Sequence, residues 1–107
     1  MMRWAALLLW FPLLAVDNSI TIYDLSGSAQ SNRPVTVMML FIEGEFPNGT
    51  FPKPRVGGVV PSAWQVDVKN HWPDGSVLSA FVSFPVSLSA NGQAVVDFVP
   101  DANACHL

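Results

Sequence analysis

The sequence predicts an all-β domain, a small antiparallel barrel or sandwich of about six or seven short strands, preceded by a signal peptide. Three observations support that expectation. After the first residues, no stretch repeats apolar side chains at helical spacing, whereas several alternate them at period two. Nine prolines and seven glycines punctuate the chain, and Val, Thr and Phe dominate between them. Two turn signals, Pro73-Asp74-Gly75 and Asn91-Gly92, sit between alternating runs.

The chain opens Met1-Met2-Arg3, stays apolar from Trp4 to Leu14 apart from Pro12, then turns polar after Ala15-Val16. One basic residue, a short apolar run and a small residue before the first polar ones make the plan of a secretory leader cleaved after Ala15. A transmembrane helix needs roughly 18 consecutive apolar residues, and the run from Trp4 to Val16 is shorter and is interrupted by Pro12. The expected organisation is a signal peptide over 1–15 and a single domain over 16–107. The expected location is secreted or periplasmic, with no membrane contact after cleavage.

Along the domain, Ser19 to Tyr23 alternates as a half-buried strand, and the polar stretch from Asp24 to Arg33 reads as a loop. Pro34 to Ile42 is continuously apolar and reads as a strand buried on both faces. Glu43 to Arg55 carries three prolines and two glycines and reads as a long irregular loop lined by Phe46 and Phe51. Val56 to Val60 reads as a short strand, bulged at Gly57-Gly58. Trp64, Val66 and Val68 alternate with polar neighbours before the Pro73-Asp74-Gly75 turn, and Leu78, Ala80, Val82 and Phe84 alternate after it. Pro73 pre-sets φ and Gly75 accepts positive φ, so this is a β-hairpin. Pro85 to Ser89 and the run through Ala94, Val96 and Phe98 read as a second hairpin closed at Asn91-Gly92.

Composition excludes several function classes. Beyond the leader, Arg33, Lys53, Arg55 and Lys69 stand scattered against eight acidic residues, which leaves no nucleic-acid footprint. Cys105 is the single cysteine, so no internal disulfide can form. The end at Ala104-Cys105-His106-Leu107 lacks a polar tail, and a continuation beyond it is expected. Hydrophobic residues make up 50% of the chain, high for so small a unit, so some apolar surface is expected to meet a partner.

No residue pattern spells out an active site. His71 lies beside Trp72 and near Asp74, but a metal site needs three or four ligands and no second His or Cys is close in sequence. Glu43 and Glu45 are spaced to share one face of an extended strand, and read as a solvated strand end. Asp67 and Lys69 likewise share a polar face. Neither a nucleophile elbow nor a phosphate-cradling glycine motif occurs. The expectation is no catalytic residue, no cofactor and no metal. Trp64, Trp72, His71 and Tyr23 remain as candidate ligand-facing side chains, because aromatic rings with polar tips suit carbohydrate.

The segment Trp64-Gln65-Val66-Asp67-Val68-Lys69-Asn70-His71-Trp72-Pro73-Asp74-Gly75-Ser76-Val77, followed by Ala80-Phe81-Val82-Ser83-Phe84, is more specific than a generic hairpin. Together with Arg33-Pro34-Val35-Thr36-Val37 and Glu45-Phe46-Pro47-Asn48-Gly49, it resembles the N-terminal domain of exo-rhamnogalacturonan-lyase-like secreted proteins. The resemblance spans Asn32 to Phe84, and similar modules occur in phage-tail-like proteins. It implies a β-barrel of RIFT type preceding a larger part that holds the lyase chemistry, so no catalytic residue carries over. Gln65, Trp72, Asp74 and Gly75 then serve as determinants of the hairpin. Leu78-Ser79 depart from the pattern, standing where a basic or aromatic residue is common. The resemblance implies a non-catalytic accessory module that packs on a downstream catalytic domain or presents polysaccharide to it. The alternative is a structural or adhesive β-module of an extracellular or phage-tail-like assembly.

Overall fold

The computed structural model describes residues 18–106, and the expected leader lies outside them. Seven strands form two antiparallel sheets. In chain order they are β1 (Ile20–Tyr23), β2 (Gln30–Leu40), β3 (Phe51–Val56), β4 (Trp64–His71), β5 (Val77–Leu88), β6 (Gln93–Asp101) and β7 (Cys105–His106). One sheet has the order β1-β6-β3 and the other β2-β5-β4-β7. The sheets pack face to face and do not close on each other, so of barrel and sandwich the architecture is a sandwich.

A single apolar core holds the sheets together. Val66, Ala80, Val82, Phe84 and Val86 from the four-stranded sheet meet Val96 and Phe98 of β6. Phe41, just after β2, lies edge-on to Phe98 with ring centroids 6.0 Å apart, and edge-on to Phe46 at 4.5 Å. The period-two alternation expected for β4 and β6 is present and aims these residues inward, and in β5 it holds from Ala80 to Val86; ahead of it Val77 and Ser79 are buried and Leu78, expected inward, is only half-buried.

The hairpin at Pro73-Asp74-Gly75 forms as its residues dictate. Gly75 has φ 89°, and its N–H donates to the Trp72 carbonyl at 2.9 Å. Asp74 Oδ1 accepts from the Ser76 N–H at 2.9 Å, an Asx-turn, and also from the Ser76 hydroxyl. Ser76 is buried, and its Oγ in turn accepts from the Gly44 N–H at 2.9 Å. The Val77 N–H donates to the Phe46 carbonyl, so the hairpin end and the Glu43–Phe46 turn form one unit.

Several expectations are corrected. β2 starts at Gln30 inside the expected loop and is not buried on both faces. It is an edge strand whose outer face no element among the described residues covers, and Met38 is 57% and Leu40 59% exposed. The irregular stretch Glu43–Arg55 holds all of β3 but its last residue, Val56, disguised by Pro52 and Pro54 at the sheet edge. Val56 to Val60 is not a strand of its own: Val56 ends β3 and a turn follows. Val56 and Val59 pair around Gly57-Gly58, whose positive φ values make a tight reverse turn.

Asn91-Gly92 does not close a hairpin, because β5 and β6 belong to different sheets. Asn91 alone takes φ 57°, as position three of a turn in which the Gly92 N–H donates to the Ser89 carbonyl. The chain thereby crosses from one sheet to the other. Nor does Pro85 end a strand. It pairs with Pro34 beyond the start of β4, where its missing N–H faces no neighbour. Glu43 and Glu45 lie in a turn instead of on a strand face.

Candidate functional site

The four candidate ligand-facing residues do not converge. Tyr23 ends β1 in the three-stranded sheet and is exposed. Trp64 and His71 occupy opposite ends of β4, about 23 Å apart at strand rise. His71 is exposed beside the hairpin turn, where it pairs with Val77. Trp72 is half-buried, and its Nε1–H donates to the Phe41 carbonyl at 3.0 Å. That bond ties the hairpin to the end of β2, so Trp72 has a structural task.

Of the four, Trp64 lines both of the described clefts. It is 4% exposed and lies between them. The apolar one, about 280 Å³, runs along Pro34, Ala63, Phe84 and Pro85 with Gln65 and Ser83 at its margin. The polar one, about 270 Å³, gathers Lys53, Asp101, Asn103 and His106 beside Val60, Pro61 and Cys105.

Strand pairing builds the polar cleft. Antiparallel register between β3 and β6 sets Phe51 opposite Asp101 and Lys53 opposite Val99, and Lys53 Nζ reaches Asp101 Oδ1 at 3.2 Å. Asp101 Oδ2 accepts from the Asn103 N–H at 3.0 Å. That backbone bond, then Lys53, holds the Asp101 carboxyl below the usual carboxylate range. β7 closes the cleft by pairing Trp64 with His106 and Gln65 with Cys105.

The cleft offers an ammonium, a carboxylate, an amide and an imidazole around a buried indole, a set of donors and acceptors for a small polar ligand. Cys105 and His106 are adjacent on a strand, so their side chains leave on opposite faces. Among the described residues no group of three or more His, Cys, Asp or Glu is placed to hold a metal ion. Lys53, Asp101 and Asn103 were not legible as site residues, because Lys53 falls in a segment that reads as loop and its partner lies 48 positions away.

Fold and site together define a two-sheet antiparallel β-sandwich with a polar cleft beside a buried tryptophan. No family model, no curated protein and no solved structure matches the chain.

Proposed function

We propose that the chain is a non-catalytic accessory module of an exported carbohydrate-active protein, presenting polysaccharide to a downstream domain or packing against it. The observation that supports the reading is the cleft where Lys53, Asp101, Asn103 and His106 meet beside Trp64. Its volume, about 270 Å³, lies just under the range of roughly 300–1,000 Å³ for drug-sized ligands, which fits a single sugar unit of a longer chain. The substrate class is read from the resemblance of the hairpin residues to rhamnogalacturonan-lyase-like modules.

Titration with rhamnogalacturonan oligosaccharides, followed by heteronuclear NMR and tryptophan fluorescence, tests the reading. Shifts confined to Trp64, Asn103 and His106, lost in Asp101→Ala, are the expected result. A flat titration overturns it. A second reading, a structural or adhesive β-module, is favoured by one observation, the uncovered edge of β2.

A further inference from the structure

We infer that the β2 edge pairs with the β2 edge of a second copy of the chain, antiparallel and two-fold symmetric about Met38. The inference is independent of the carbohydrate reading, since the edge and the cleft are different surfaces.

The backbone supplies the first reason. The Phe41 N–H donates to the Leu78 carbonyl, so in the regular part of β2 the odd-numbered residues Val35, Val37 and Met39 exchange hydrogen bonds with β5. The N–H and C=O groups of Thr36, Met38 and Leu40 therefore point away from the sheet, and no other described backbone group takes them. A row of such groups is a template for another strand.

The opposite sheet is treated differently. The Gly57 N–H donates to the Val95 carbonyl, so residues 52, 54 and 56 of β3 face its open edge. Two of these are prolines with no N–H, and the Val56 N–H is taken by Val59. The β3 edge is blocked by its residues, while the β2 edge is left open over Thr36 to Leu40.

Charge supplies the second reason and selects the occupant. Among the described Lys and Arg residues, Arg33 alone makes no ion pair. Among the described carboxylates, Glu43 alone has neither a hydrogen bond nor an ion pair. Both are exposed, and they flank Met38 at equal distance along the chain. A two-fold axis through Met38 sets Met38 against Met38 and Thr36 against Leu40, and brings Arg33 of each copy toward the turn just past β2 that carries Glu43 in the other. That pairing forms about six backbone hydrogen bonds. It also sets the exposed Met38 and Leu40 side chains beside those of the second copy on one sheet face, next to Phe81, which lies across from Met38.

Sedimentation equilibrium of the full chain tests the inference. The expected result is a reversible dimer. Met38→Pro, which removes an outward N–H and the Met38 side chain but none of the N–H groups bonded to β5, gives a monomer with unchanged circular dichroism. Arg33→Glu and Glu43→Arg each weaken the dimer roughly tenfold, because two symmetric pairs turn repulsive. The double reversal Arg33→Glu/Glu43→Arg restores it. A chain that stays monomeric at high micromolar concentration overturns the inference, as does a dimer that Met38→Pro leaves intact. A double reversal no tighter than the single ones also overturns it, and these charge variants keep the test valid if Met38→Pro does not fold.

Discussion

Asp24, immediately after β1, accepts a hydrogen bond from the backbone N–H of Asn91 at 2.8 Å, across 67 positions of sequence. Its own N–H donates to the Gly92 carbonyl at 2.9 Å. The end of β1 thus clamps the turn where the chain passes from one sheet to the other. Asp24 Oδ1 is also held by the Ser26 N–H at 3.0 Å and the Ser26 hydroxyl at 2.6 Å. Asp24→Ala removes all three acceptor contacts and is expected to lower Tm by several degrees. Thermal melts followed by circular dichroism read this out. Asp24→Asn keeps an acceptor oxygen and should fall between the two.

Acid sensitivity follows from the same group and its counterparts. The Ser26 hydroxyl bond holds the Asp24 carboxyl below its ordinary value, and the Ser76 hydroxyl does the same for Asp74. The Arg55 side-chain hydrogen bonds lower Asp97, and the Asn103 N–H lowers Asp101. With folded values depressed, the unfolded chain binds protons more readily. These groups stabilise fully above the unfolded Asp value of about 3.9. That stability is lost as pH falls through the folded values. Denaturant melts should show nearly constant stability from neutral pH to about pH 5, then a decline below about pH 4. Asp97→Asn should be less stable at neutral pH and decline less steeply in acid.

Gly75 is required for two separable reasons. Its φ of 89° disfavours a side chain, and a Cβ there would lie 2.9 Å from Asn48 Cγ. Gly75→Ala should cost about 1–2 kcal/mol for the left-handed backbone alone, and more for displacing Asn48. Adding Asn48→Gly should recover only the second part. Chemical denaturation of the single and double variants separates them.

What was legible in the sequence was local. The alternation of Trp64, Val66 and Val68, and the turn chemistry of Asp74 and Gly75, dictate a hairpin whatever surrounds them. Asn91-Gly92 sends the same local signal, but the partner of β5 is set by packing. β2 and β4 flank β5 on both sides, leaving β6 to found the other sheet. Phe46 reads as a loop aromatic among glycines and prolines, yet it is fully buried against Phe41. The cleft beside Trp64 depends on β3–β6 register and on β7, neither of which leaves a periodic trace.

Phe46 converts that contrast into a measurement. Phe46→Ala should destabilise by about 3–5 kcal/mol, the range for a buried aromatic in a core. Phe51→Ala, on the half-buried start of β3, should cost less. Equal losses would place Phe46 in a yielding loop instead of the core. Urea titrations of both variants decide the matter.

The prolines of β3 supply the last prediction. Pro52 and Pro54 stand at positions whose N–H would face the open edge of the three-stranded sheet. Pro52→Val/Pro54→Val keeps an apolar side chain of similar size at both buried positions and restores two outward donors. Losing the rings frees the unfolded chain, at roughly 0.4–1 kcal/mol per site. The larger effect is on association, since a second edge becomes available for strand pairing. The double variant should form species larger than a dimer as concentration rises. In the Met38→Pro background, where the β2 edge is blocked, it should still associate through β3. A double variant with the same sedimentation profile as its parent would mean that the prolines serve the core alone and leave the edge no less protected than before.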